Sequence, residues 1–549
     1  MRRTAVLNVV GLTESLLGPH TPHLERFRAR GSLTRIVPAF PAVTCTAQAN
    51  YLTGQPPRVH GIVGNGWYHR ELAEVHFWKQ SNHLVTAPKL WETLRASHAG
   101  NCPAPRSEPC GAGFRPAPTG LLTPIGTPTA ALSSPIVSPP DPAGPAPFTC
   151  ATLFWWFNMY SSADYSITPR PLYPADGRKV FDIHTWPYSI RSEIKRDLGE
   201  FPFPCFWGPA AGRATPAGSP DAASRWIADS AKWIEQRYAP TLSLIYLPHL
   251  DYCLQRHGPP AGRTRDQGPG TKDQGLRTKD HNTRTPTDSE AAPGVWAHVE
   301  AIDAIVGELI AFFHARGVQV IVLSEYGLTP VDTPIHLNRL FRQHGWLAVK
   351  DELGRETLDA GASRVFAVAD HQVAHLYLND RSLEAKVRRA IEAVPGVAQV
   401  LDAEAKRACG LDHPRAGDLV AIARENAWFT YYYWFDDAVA PDFARCVDIH
   451  RKPGYDPVEL FTNPAWSAFG LRARLAWRLL RKRLGFRMLM DVIPLDASLV
   501  RGSHGGRPSQ ESDWPVLLLE TPDVLPARAV PSTDVHRLLA QAMGSNIDI

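Results

Sequence analysis

Short apolar runs and amphipathic stretches alternate along this chain. The runs at Val6–Gly11, Leu33–Val37, Leu242–Leu247 and Val318–Leu323 have strand-like length and end in polar loops. The last two follow stretches with apolar residues at helical spacing, Trp226–Arg237 and Val295–Arg316. This order predicts an α/β fold: a central, mostly parallel sheet with helices on both faces. In such sheets the working side chains gather in loops at the carboxyl ends of the strands. Those loops are therefore where chemistry is sought.

Several stretches break the pattern. Residues 99–147 are rich in Pro, Gly, Ala, Ser and Thr, residues 209–221 form a shorter tract of that kind, and residues 257–293 carry a loose repeat of Thr, Lys/Arg, Asp, Gln and Gly. Too little apolar surface is available there to offset the entropy of ordering, so surface insertions are expected. The section 361–460 reads differently. Strand-like Val365–Ala369 and Ala374–Leu378, a helix over Ser382–Val394 and an aromatic strand Ala427–Phe435 predict a smaller α+β cap. The catalytic α/β region is accordingly expected over 1–98, 148–256, 294–360 and 461–549. Within it Ala465–Leu484 reads as a surface helix with snorkelling cations, its alternative being a membrane or acidic-partner contact.

Composition narrows the classes. A net charge of +4 over 549 residues does not suit a nucleic-acid coat, and no apolar run reaches the ~18 residues of a membrane span. The opening run Ala5–Leu12 contains Asn8 and lacks a cleavage pattern, so a first buried strand is expected rather than a leader. The eight cysteines are scattered without a Cys-x-x-Cys pair, which points away from a disulfide framework and toward a cytoplasmic protein.

Four segments carry candidate chemistry. Pro41-Ala-Val-Thr44 leads into a helix that Gly54 should end, and His60-Gly-Ile-Val-Gly-Asn65 follows. A hydroxyl at a helix N-terminus meets unpaired N–H groups and the positive end of the dipole, which favours both its alkoxide and an arriving phosphate. A plain N-cap threonine is the bland alternative. Asp251 follows the apolar strand Leu242–Leu247, and Glu325 follows Val318–Leu323. A carboxylate in such a place is costly unless it is paired or binds a metal. His504 lies between small residues in Gly502-Ser-His-Gly505.

Taken in order, these segments resemble the nucleotide pyrophosphatase/phosphodiesterase family of the alkaline-phosphatase superfamily. The resemblance implies a metal-dependent hydrolase of phosphodiester, pyrophosphate or related phosphate-ester bonds, acting on a small, nucleotide-like phosphorylated substrate through a covalent phospho-threonine. Thr44 corresponds to the nucleophile. Asn65 falls in the family's Gly-Asn segment. Asp251 and His504 would hold a first divalent metal, usually zinc, with manganese or magnesium as alternatives. Glu325, Thr44 and Asn8 would hold a second, and His336 could add an imidazole from a neighbouring loop. The chain also departs from the pattern: Val10 stands where an Asp is expected, Gln255 where a His is expected, and Tyr326 replaces a His. These departures keep two rivals open, namely phosphonate or sulfate-ester hydrolysis and a binding protein with a degenerate metal site. Asp370, His371 and His375 form a further cluster, as do Asp448 and His450. Each is a metal group or a set of buried hydrogen-bonded pairs.

Overall fold

A computed structural model describes residues 1–100, 147–175, 179–213, 218–260, 294–464, 466–486, 489–522 and 524–545. The insertions expected at 99–147 and 257–293 fall almost wholly outside these residues. Within 209–221, however, the described residues do not behave as a loose insertion. Ala211 is fully buried, and Asp221, at the start of helix Ala222–Tyr238, pairs with Arg225 at 3.0 Å.

The core is a nine-stranded sheet. Thr4–Val9 lies at its centre, parallel to Leu242–Leu247 on one side and to Gln319–Leu323 on the other. All three strands are buried along their length, so they read as continuous apolar runs, as strands covered on both faces do. Cys150–Leu153 and Tyr165–Pro169 extend the parallel part, and Ile183–Trp186 closes that edge antiparallel. On the other side Val516–Leu519, from late in the chain, slots antiparallel between Gln319–Leu323 and Ser32–Val37. The helices Ala222–Tyr238 and Val295–His314 span the stretches predicted as helical and pack on each other.

A second sheet of four antiparallel strands occupies part of the 361–460 segment, in the order Val365–Asp370, Val373–Leu378, Leu419–Ala423, Val397–Leu401. Its helix Glu384–Glu392 presents Val387 and Ile391 inward. The aromatic stretch predicted as one strand pairs only over Ala427–Phe429. Tyr431 to Trp434 continue as buried irregular chain, with packing of four aromatic side chains taking the place of a ladder. Helix Ala468–Arg483 keeps Phe469 and Trp477 exposed beside its cations. Among the described residues no helix is long and apolar enough to cross a membrane.

Candidate active site

Three loops leave the carboxyl ends of the central strands toward one cavity. The first is reached from strand Ser32–Val37 and opens the helix Thr44–Thr53, in which Thr44 is the first helical residue and Val43 the extended N-cap. Gly54 ends it in the left-handed conformation, at φ 67°. Glycine takes that conformation without the steric cost a Cβ incurs. Asn65 fixes the helix start. Its Oδ1 accepts the Cys45 N–H at 3.0 Å, while its own N–H and Nδ2 donate to Asp370 at 2.8 and 3.0 Å. Both ends of the Asn65 amide are thus used, and it serves as a brace behind Thr44 rather than a group facing the cavity.

Thr44 faces Tyr326, with 3.1 Å between the two hydroxyl oxygens. The Tyr326 hydroxyl donates to Asp251 Oδ1 at 3.3 Å. Gln255, one turn further along helix His249–His257, donates to Asp251 Oδ2 at 2.8 Å, and its carbonyl accepts from the Tyr455 hydroxyl at 2.9 Å. A hydrogen-bonded chain therefore runs from Thr44 through Tyr326, Asp251 and Gln255 to Tyr455. His504 stacks on the Tyr326 ring at 3.6 Å between centroids, and His371 packs over His504 at the same distance.

Burial raises the Asp251 carboxyl to about 7, although Gln255 and Tyr326 pull it down. Burial likewise raises Glu325 to about 8 against its bonds from Gln48 and Asn8, and the nearby Asp251 charge adds to the rise. His504 is pushed down to about 3 by burial, so its ring is neutral. Its Nδ1 lies 2.7 Å from the Ala42 carbonyl, which can only accept, so Nδ1 carries the proton and Nε2 a lone pair. That lone pair faces Asp251 Oδ1 at 3.6 Å. Two acceptors aimed at each other fit a cation between them, or a proton shared by them.

The donor set fits one cation at this first position. It does not fit a second in the expected manner. Val10 is buried and offers no donor, and the Tyr326 phenol stands where an imidazole was needed. Glu325 Oε1 accepts from Asn8 Nδ2 and Gln48 Nε2, each at 2.6 Å. Glu325 Oε2 and Asn8 Oδ1 have no hydrogen-bond partner. Asn8 thus meets Glu325 through its amide N–H, which repels a metal, rather than through its oxygen. His336 is not brought to the site. Its Nδ1 pairs with Thr430 Oγ1 at 2.7 Å and its ring stacks on Tyr432, because the strand Thr333–Ile335 pairs with Ala427–Phe429 and carries His336 away.

Two of the residues around the cavity were not assigned to it from sequence. His371 comes from the hairpin between Val365–Asp370 and Val373–Leu378 and has φ 60°, a left-handed conformation uncommon outside glycine. Tyr246 is next to last in strand Leu242–Leu247, with its phenol against Thr44. Only its place at a strand end could have marked it. The remaining clusters separate. Asp370 braces Asn65, and His375 is locked between Val63 O and Gly417 N–H, both at 3.0 Å. His450 and Asp448 join the cavity wall.

The cavity encloses about 430 Å³, with Thr44, Asp251, Tyr326 and His504 among its lining. Its walls are aromatic, including Trp78, Trp156, Trp207 and Tyr252, and Lys79, Arg170, Lys179 and Arg451 supply positive charge. A hydroxyl at a helix N-terminus, a buried carboxyl and a cationic wall together suit a phosphoric ester.

The chain belongs to the type I phosphodiesterase/nucleotide pyrophosphatase family, whose model matches residues 4–456. Among solved structures it resembles phosphonoacetate hydrolase from Sinorhizobium meliloti 1021 in complex with phosphonoformate, at 14% identity and a TM-score of 0.52, covering 99% of this chain and 96% of that one. Human ectonucleotide pyrophosphatase/phosphodiesterase 5 is similar at 12% identity and a TM-score of 0.51, covering 100% and 96%. An inactive form of the murine protein, in complex with AMP, has 13% identity and a TM-score of 0.50, covering 100% and 96%. These structural likenesses concern the fold. A search of curated proteins finds no match.

Proposed function

We propose that this protein hydrolyses a phosphodiester or pyrophosphate bond of a ring-bearing substrate, with Thr44 as nucleophile and Asp251, reached through Tyr326, as the acceptor of its proton. The observation that carries this reading is the hydrogen-bonded line Thr44–Tyr326–Asp251 at 3.1 and 3.3 Å. An acceptor near neutral pKa suits general base catalysis, and Asp251 is raised to about 7. The Thr44 Oγ–P bond forms as the bond from phosphorus to the leaving oxygen breaks, and the Thr44 proton passes through the Tyr326 hydroxyl to Asp251. A water oxygen then bonds phosphorus as the Thr44 Oγ–P bond breaks, Asp251 returns its proton through the Tyr326 hydroxyl to the Thr44 oxygen, and the water's protons leave with the phosphate product and the solvent. A divalent cation held by Asp251 and His504 would take the place of that proton acceptance, keeping Asp251 ionised as a ligand and supplying Lewis-acid charge to the phosphoryl oxygens. The helix N-terminus holds the transferring group from the other side, and the aromatic walls exclude water and grip a planar substituent.

A binding protein of the same fold is the second reading, favoured by Val10, Gln255 and Tyr326 at the altered positions. The test uses purified full-length protein, its metal content by elemental analysis, and turnover of bis-p-nitrophenyl phosphate with added zinc or manganese. Turnover by the wild type and by Thr44→Ser, with none from Thr44→Ala, is expected. Equal rates for wild type and Thr44→Ala would overturn the assignment. Tight binding of AMP without turnover of any ester would favour the second reading.

A further inference from the structure

Helix His249–His257 has a second chemical face. At ~100° per residue, Asp251 and Gln255 lie on the side toward Thr44, and His249 and Cys253 lie nearly opposite. His249 and Cys253 are one turn apart, so the imidazole and the thiol are neighbours. The helix Val295–His314 packs against this face and brings in His298.

The donor atoms converge. His249 Nε2 lies 3.1 Å from His298 Nδ1 and 3.9 Å from Cys253 Sγ, and the three donors all lie within 4.8 Å of one another. Tetrahedral zinc, with bonds of ~2.0–2.1 Å to nitrogen and ~2.3 Å to sulfur, sets N···N near ~3.3 Å and N···S near ~3.6 Å. The Pro220 backbone also faces the His249 ring and favours its protonated form. A carbonyl partner of this kind would favour the tautomer whose Nε2 lone pair turns inward, as carbonyl partners do for metal-bound imidazoles. Among the described residues this is the one group of three His, Cys, Asp or Glu donors drawn together in this way.

We propose that His249, Cys253 and His298 bind a zinc-like divalent ion that straps the two helices together, at a site separate from the Thr44 cavity. Two nitrogens and a sulfur select zinc, or cobalt in its place, over magnesium and calcium, which prefer oxygen. On binding, the Cys253 S–H proton leaves to solvent, a sulfur–metal bond forms, and both imidazoles ligate neutral. The fourth position is left to water. Arg256 lies close by; it favours the thiolate and opposes the cation. The Asp221 carboxylate acts on both His249 and His298 from the other side and offsets part of that repulsion. The ion would hold the back of the helix whose front carries Asp251, so its role is to position that carboxyl.

The test is cobalt titration of the full chain after chelation. Among the described residues no thiol lines the Thr44 cavity, and Cys253→Ser separates a thiolate-to-cobalt charge-transfer band at this site from one raised by the other cysteines. The band is expected in wild type and in His504→Ala, with one equivalent bound to the latter, and is expected to be lost in Cys253→Ser and His298→Gln. X-ray absorption on the zinc form should show one sulfur and two nitrogen neighbours. If Cys253→Ser fails to fold by circular dichroism, the half-buried His298→Gln decides. No band in wild type, or a band that survives in folded Cys253→Ser, would overturn the proposal and leave a buried hydrogen-bonded cluster.

Discussion

At the residue scale the decisive group is Tyr326. It sits between the Thr44 hydroxyl and the Asp251 carboxyl, a position that an imidazole ligand to a second cation was expected to fill. Tyr326→Phe keeps the ring stacked on His504 and removes only the hydroxyl. We expect kcat to fall by ~10²-fold or more with KM little changed, since general acid–base groups contribute about that much. Steady-state kinetics check it, and an unchanged kcat would remove Tyr326 from the proton path. A second prediction concerns His375. The Gly417 N–H fills its Nδ1, so Nε2–H donates to Val63, and burial lowers its pKa to about 4. The folded pKa is below the unfolded ~6.5, so this contribution to stability is complete above pH ~6.5 and is lost as pH falls toward 4, a loss of ~3 kcal/mol. Urea midpoints at pH 7 and pH 4.5 should therefore separate more in wild type than in His375→Gln. Parallel shifts in the two proteins would contradict this. Thr44, Asp251 and Glu325 could be singled out because each follows a strand or opens a helix, and His504 because it lies between small residues in Gly502-Ser-His-Gly505. His371 was not assigned to the site because its place depends on a hairpin of the second sheet meeting the first, a contact that no local pattern encodes.

At the element scale, close approach of backbones sets the site. Strand Gly502–Ser503 runs so near helix His249–His257 that a Cβ on Gly502 would lie 2.2 Å from the Leu254 carbonyl oxygen. Gly502→Ala must push strand and helix apart, and His504 with them. Activity is expected to drop along with Tm, whereas Gly54→Ala, strained by its φ of 67° and by a Cβ set 3.3 Å from His536, should cost ~1 kcal/mol or more in stability and leave kcat within a few-fold. Thermal melts and kinetics on both variants check this, and equal kinetic losses would argue against a special role for the Gly502 contact. The strand and helix order of the α/β region was readable because period and length agree over long stretches. The aromatic run after Ala427 misled, since β propensity there reflects burial of rings rather than a paired strand.

At the scale of the whole molecule, the cavity is walled by pieces distant in sequence: Trp78 and Trp156 from the first half, Trp207 from the middle, and His450 and Tyr455 from beyond the second sheet. Trp207 meets Tyr252 and Tyr455, each at 5.6 Å. Trp207→Ala is expected to raise KM for an ester carrying an aromatic or base substituent, and to leave KM for a small alkyl ester nearly unchanged. A uniform change across both substrates would mean that the wall does not select. None of this wall was visible in the sequence, because a cavity is a product of long-range packing and its aromatic residues look like ordinary core.

The strand Val516–Leu519, set between two strands that precede it by hundreds of residues, also bears on synthesis. A chain emerging from the ribosome can pair Thr4–Val9 with Leu242–Leu247 and Gln319–Leu323 early on. It cannot join Ser32–Val37 to them until Val516–Leu519 has been made, and His504 arrives on the same late segment. Until then the nascent sheet has an open seam, and the reactive centre lacks one wall. The growing protein therefore lacks a complete reactive centre until that late segment joins, and an unpaired strand edge of this kind is prone to aggregation.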